Sequence, residues 1–368
     1  MGLYREQRVL LAVLGWCSML ATPISGGTPT TKLAHRLYCL RVGVILSVLL
    51  TFLYLRVWDI TRDFHLVSVS YVMWLTSVIA ETCVIISTLL ANAYNVSSFR
   101  ALSDLIEHLE RSIEERNTAG HVYPSYGVAI NALMVVYLVY HSILIYFSYQ
   151  MGISFALQIR LEVVISDFYT VQLLFLLLAI GRCARQLRRM LQVSIVSNRV
   201  SDVCAVLRLR DDLVRAVALV NRCYGVFFLG CGVAWVVSIT SILYFDFVLE
   251  GAFFLDARSL GLHTLMFVWK STIIGGLLMV AGTVMDRVNE IMQATYRCET
   301  HPSNNRRLTK MLDKALLKCQ FQDINFTVYG LLTIDNSLSY TVIGSIVTYL
   351  VILVQFRQVE ERIENMVN

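Results

Sequence analysis

Seven stretches of this chain, at about residues 40–57, 66–94, 128–150, 161–181, 217–249, 262–285 and 333–356, carry few charges and no proline. Crossing about 30 Å of hydrocarbon takes about 20 mainly apolar residues in a helix. Helices are required there, because lipid offers no hydrogen-bond partner to an open backbone. The chain is 57% hydrophobic and 15% charged, whereas an ordinary soluble domain has about 45–50% apolar and roughly 25% charged residues. One globular core cannot hide that much apolar surface, so lipid must solvate much of it. The second and fifth stretches are long enough to project beyond the bilayer. The fourth is interrupted at its start by Glu162 and Asp167. An earlier apolar stretch, Val9–Ala21, is short and is followed by Lys32, Arg36 and Arg41. It reads as an amphipathic or partly inserted helix rather than a cleavable signal.

Basic residues favour the cytoplasmic side of a bilayer. The segment before the first span and the connectors after the second, fourth and sixth hold 23 of the 31 Lys and Arg residues. The opposite connectors and the tail hold 6, and Arg222 and Lys270 fall inside spans. With seven crossings, this split places the N-terminus in the cytoplasm and the C-terminus outside. A G-protein-coupled receptor has the reverse orientation. The last span also lacks an Asn-Pro-x-x-Tyr sequence, and the outward loops contain no cysteine. The sequons at Asn95 and Asn325 fall on the cytoplasmic side, where they would stay unglycosylated.

The cytoplasmic connectors, about 95–127, 182–216 and 286–332, are substantial. Leu102, Leu105, Ile106, Leu109 and Ile113 recur at helical spacing with charges between them, the pattern of an amphipathic helix. Arg182–Arg215 is basic and helix-prone. Val288–Tyr296 and Leu308–Phe321 are two further helical stretches around a break at His301–Asn305. The expected fold is therefore an all-α membrane protein. Residues 1–368 form a single seven-helix domain with helical extensions hanging below the bilayer. No internal repeat is visible, which weakens a transporter reading.

Enzyme signals are poor. The seven histidines never pair at ligand spacing, none of the nine cysteines forms a CxxC pair, and neither a phosphate loop nor a nucleophile elbow occurs. Nothing points to catalysis, a metal, a cofactor or nucleic acid. Polarity concentrates elsewhere. In the last span Ser337, Thr341, Gly344 with Ser345, Thr348, Ile352 and Gln355 recur every three or four residues, one narrow stripe on a Leu/Ile/Val helix. Copies of that stripe around an axis would make a wettable tunnel, closed by Ile352 and Phe356 and ringed by the Gln355 amide. Small residues that let helices pack closely would give the same pattern. Glu360, Glu361 and Glu364 follow on the tail, where repetition in a symmetric assembly would concentrate cations.

The outer halves of the other spans are rich in aromatics. Trp74, Tyr140, Tyr169 and Trp269 lie deepest, either as the wall of a ligand cavity or as part of an interfacial belt. Charges inside the spans need partners. Lys270 would either pair with Glu162 between the sixth and fourth spans or remain free to meet a ligand.

Thr348-Tyr349, five apolar residues and Gln355-Phe356 are similar to the signature at the end of the last helix of insect gustatory receptors. Gly330-Leu-Leu-Thr-Ile-Asp335-Asn336 through Gly344 resembles the region before it. The close motif covers about 30 residues, and seven spans with an internal N-terminus extend the resemblance along the chain. It implies a ligand-gated, non-selective cation channel of the plasma membrane. Four identical or related subunits would surround a pore lined by the seventh helix and be held by a cytoplasmic anchor of helical extensions. A small organic tastant would bind an outward-facing pocket in each bundle, for which Trp74, Tyr140, Tyr169, Trp269 and Lys270 are candidates. Thr341, Ser345, Thr348 and Ile352 would line the pore, with Gln355 and Phe356 at its extracellular gate. Members resembling sugar receptors often carry Glu after the Thr-Tyr pair. Leu350 stands there in this chain, which favours a bitter or other non-sugar compound. A G-protein-coupled receptor and a transporter are the competing expectations.

Overall fold

A computed structural model describes residues 32–63, 69–116, 126–150, 156–247, 257–299, 306–320, 322, 324–328, 330, 332–334 and 336–367. The helices are α1 (Lys32–Asp63), α2 (Val69–Tyr94), α3 (Val96–Arg116), α4 (Tyr126–Gln150), α5 (Ala156–Val196), α6 (Val200–Phe247), α7 (Ala257–Glu299) and α8 (Arg306–Gln320). Two strands, β1 (Thr327–Val328) and β2 (Leu332–Thr333), precede α9 (Asn336–Val367). The expected N-terminal helix at Val9–Ala21 and the break at His301–Asn305 lie outside the described residues.

The centre is the α5–α6 hairpin. Its helices have 41 and 48 residues, about 60 and 70 Å at 1.5 Å per residue, roughly twice a hydrocarbon core. They reverse at Asn198, whose φ of 53° is left-handed. Asn198 N donates to Ile195 O at 2.9 Å and Arg199 N to Ser194 O at 3.3 Å. This is the paired bond that satisfies the last carbonyls of a helix whose next residue is left-handed. Asn tolerates that conformation better than most side chains, so a single residue folds the basic connector into a hairpin.

The other elements wrap this hairpin according to their apolar faces. On α3 the residues Leu102, Ile106, Leu109 and Ile113 are buried against α5 and α6. Asn95 alone separates α2 from α3, and backbone bonds from Asn95 to Ala91 and from Phe99 to Asn95 carry the ladder across it. The most extensive helix pair is α5 with α7, where Gly181 brings the backbones together; a Cβ there would meet Val284 Cγ2 at 2.9 Å. One continuous core runs from Val84 on α2 through α5, α6 and α7 to Ile346 on α9. At the edge, α1 packs Val42 and Leu49 on Ile85 and Leu89, and α4 packs Tyr140 and Leu144 on Met266 and Trp269.

No strand is expected from the sequence, yet a short antiparallel hairpin pairs Thr327 with Thr333 and Val328 with Leu332. Gly330, at φ 73°, supplies its turn. Asn221 of α6 holds it, donating to Asn325 O at 2.8 Å and accepting from Thr327 N at 3.2 Å. Phe326, Val328 and Ile334 are buried beneath it. The start of α9 is thereby tied to the middle of α6.

Five stretches within these helices are long and apolar enough to cross a membrane: Leu75–Tyr94, Ile165–Val196, Val200–Tyr244, Thr264–Ile291 and Ser337–Ile363. Val42–Leu55 and Val135–Tyr146 are shorter apolar helices.

Candidate functional site

Of the five long apolar stretches, the one in α9 is the least covered: between Ser337 and Ile363 the buried residue among those described is Ile346. Leu338, Val342 and Ile346 join it to the core. Thr341, Thr348, Ile352, Gln355 and Phe356 are exposed, and Ser345 is half-buried. The hydroxyls are satisfied within the helix. Ser345 donates to Thr341 O at 2.9 Å and Thr348 to Gly344 O at 2.8 Å. This leaves their oxygens as acceptors along an otherwise apolar rod. Arg357, towards the C-terminal end of α9, bonds to Glu360 at 3.1 Å and Glu361 at 3.0 Å. Asp335 lies outside the described residues.

Between α6, α7 and α9 lies a cavity with about 890 Å³ of empty space, lined by Leu243, Phe267, Ile274, Leu278, Val342 and Ile346 and by the hydroxyl-bearing Ser271 and Ser339.

Those charges form two groups. In the first, Lys270 Nζ of α7 donates to Glu81 Oε1 of α2 at 2.5 Å and to Ser238 Oγ of α6. Ser238 Oγ donates to the same Glu81 oxygen at 2.9 Å. The ammonium is buried, and a buried pair with its hydrogen bonds made is tolerated where a lone charge is not. In the second, Asp167 Oδ2 of α5 accepts from Trp269 Nε1 of α7 at 2.9 Å and meets His141 Nε2 of α4 at 3.2 Å. Tyr140 stacks on Trp269 with ring centroids 4.3 Å apart, and Tyr137 lies 4.3 Å from the His141 ring. Both groups reach one small cavity, lined by Glu81, Asp167 and Lys270 together with Ser166, Cys231 and Trp235.

The expected ligand residues thus divide. Tyr140, Trp269 and Lys270 lie at or beside this cavity. Tyr169 lies at a second one of about 280 Å³, lined also by Thr88, Asn92 and Phe227. Its hydroxyl donates to Asn92 Oδ1 at 2.5 Å, and its ring packs on Tyr224 and Phe227. The two cavities share Val84, Ile85 and Ser166. The side chains of Trp74 and Glu162 are outside the described set. Lys270 is not free: its acidic partner among the described residues is Glu81, which sequence reasoning passed over. The signal was present, since Glu81 is the lone charge in the second apolar stretch, and such a charge needs a partner. Ser238 and Asn92 carried no such signal.

The 7tm Chemosensory receptor family model matches residues 7–360. Over 287 residues the chain is 25% identical to the gustatory and pheromone receptor 39a, isoform B, of Drosophila melanogaster, covering 75% of each protein. A 57-residue stretch is 42% identical to gustatory receptor 68a of the same organism, covering 16% of this chain but only 15% of that receptor. In structure the chain is similar to the insect olfactory receptor OR5 from Machilis hrabei, with a TM-score of 0.66 at 14% identity over 95% of this chain and 98% of that one. The same receptor in complex with eugenol gives a TM-score of 0.67 at 12% identity.

Proposed function

Because this chain belongs to the 7tm chemosensory receptor family, we propose that it is a gustatory receptor subunit of a tastant-gated, non-selective cation channel in the plasma membrane of chemosensory neurons. It crosses the bilayer seven times with its N-terminus in the cytoplasm and its C-terminus outside, and it assembles as a tetramer with itself or with related subunits. The observation that carries this reading is the state of α9, a membrane-length helix with little of its length buried that bears hydroxyls and an amide along an apolar rod. Lipid alone would be a poor solvent for Gln355, whereas a water-filled axis shared with other copies would suit it.

The tastant enters the cavity between Glu81, Asp167 and Lys270. It acts only in so far as it binds the open state better than the closed one. Trp269 and Lys270 sit on α7, whose residues Phe267, Ser271, Ile274 and Leu278 line the open space beside α9. A shift of α7 can therefore reach the pore helix without passing through the α5–α6 core. Spreading of α9 wets the constriction at Ile352 and Phe356. Leu350 behind the Thr348-Tyr349 pair favours bitter or other non-sugar compounds.

Current recording tests the pore assignment. With the receptor expressed alongside whatever subunits it needs, Gln355→Ala changes gating or cation selectivity. Unchanged currents through channels proven to contain the altered subunit would remove α9 from the pore.

A further inference from the structure

The cavity behind α5 has a charge balance that the ion pair does not close. Lys270 and Glu81 cancel each other in direct contact. Asp167, 7% exposed, is the other acid on the cavity wall. Its Oδ2 accepts from a neutral indole and lies 3.2 Å from His141 Nε2, and an oxygen approached by two ring nitrogens suits a carboxylate.

The form of His141 decides whether that charge is compensated. The residue is 4% exposed, and its Nδ1 is buried without a hydrogen-bond partner among the described residues. An imidazolium would place a charged N–H donor at Nδ1 with nothing to receive it. A neutral ring donating through Nε2 leaves only a lone pair there, much the smaller penalty. Among the described residues, the groups that meet Asp167 are Trp269 and His141, with Tyr137 and Tyr140 beyond His141, and the ammonium on the same wall, Lys270, is taken by Glu81. Two carboxylates and one ammonium among the described residues therefore line the cavity, and an uncompensated charge at membrane depth is unfavourable.

We infer that this cavity takes a small organic cation, a protonated amine seated against Asp167. This rests on the proposal that the tastant occupies this cavity. Ser166 offers the ammonium a hydroxyl oxygen, and Trp235 an aromatic ring of the kind that attracts cations. Val84, Ile85 and Ile273 give its hydrocarbon part an apolar wall. Lys270 is held by Glu81 and Ser238, so an anionic ligand would meet an ammonium whose charge a carboxylate already balances. The stack of Tyr140 on Trp269 fixes the indole that holds the carboxylate in place.

The test compares amines with the alcohols of the same shape: butylamine with butanol, 2-phenylethylamine with 2-phenylethanol, and cyclohexylmethylamine with cyclohexylmethanol. Binding is measured at neutral pH on the full receptor, with its co-subunits, in lipid nanodiscs. At least one amine is expected to bind tenfold or more tightly than its alcohol. Asp167→Asn should erase that preference, and Asp167→Glu should retain part of it. Should no amine in the set outbind its alcohol, or should folded Asp167→Asn receptor keep the preference, the inference is overturned. If Asp167→Asn does not fold, the comparison on the unaltered receptor decides. Binding is read without current, so a failed channel reading would appear as intact amine preference in a protein that conducts nothing.

Discussion

Helices α5 and α9 are both long and apolar enough to cross a membrane, and they are opposites in every other respect. The apolar stretch of α5 is mostly buried and that of α9 is mostly not, although α9 is the more apolar of the two. Their glycines make the same point. A Cβ at Gly181 of α5 would meet Val284 Cγ2 at 2.9 Å, whereas a Cβ at Gly344 of α9 has nothing within 4 Å. Hydropathy measures what a segment tolerates; burial measures what it has already found. The environment of α5 is complete within one subunit. On α9 the residues packed on the core are Leu338, Val342 and Ile346 in its N-terminal half, while Thr348, Val351, Ile352, Gln355 and Phe356 stay exposed.

The contrast can be broken by substitution, with stability read as the thermal unfolding of detergent-solubilised receptor. The largest effect is expected at the buried pair. Lys270→Met strands Glu81 and should cost about 3–5 kcal/mol, seen as loss of the monodisperse folded species. The double change Lys270→Met with Glu81→Leu should recover most of it. Next comes Leu177→Ala on α5. Its side chain is fully buried, and the expected cost is about 2–5 kcal/mol. Gly181→Ala follows at about 1–3 kcal/mol, because Val284 and the α7 backbone must give way.

The smallest stability effects belong to α9. Val351→Ala, at an exposed position, should stay within about 0.5 kcal/mol. Gly344→Ala should be neutral or stabilising by up to about 1 kcal/mol, through helix propensity alone. Both should nevertheless alter current or assembly. A large stability loss at Val351 would mean that α9 is covered within the subunit, and the contrast with α5 would collapse.

Much of the architecture was legible in the chain. The amphipathic face of α3 could be read from Leu102, Ile106, Leu109 and Ile113, because helical periodicity is local. The length of the fifth apolar stretch announced a helix that outruns the bilayer. The stripe on α9 was legible as spacing, and the structure adds that most of it faces outward from the subunit. The β1–β2 hairpin was not legible. Two-residue strands have no usable period, and this pair exists because Asn221, more than a hundred residues upstream, binds its backbone. The ligand candidates were legible as residue types but not as a group. Tyr169 and Trp269 share neither a cavity nor a ring contact, because α5 turns Asp167 toward α4 and α7 and presents Tyr169 to Asn92 and to the aromatic rings of α6.

By itself the sequence determined that this is a helical membrane protein of the chemosensory receptor family, since length, hydropathy and a terminal motif are all carried by neighbouring residues. The tertiary structure alone decided which charge answers which. Lys270 finds Glu81 across 189 positions of chain, and Asp167 finds Trp269 across 102. No local pattern encodes such meetings. They follow from which helix faces close against each other, and a buried charge settles on whatever partner that closure brings within reach.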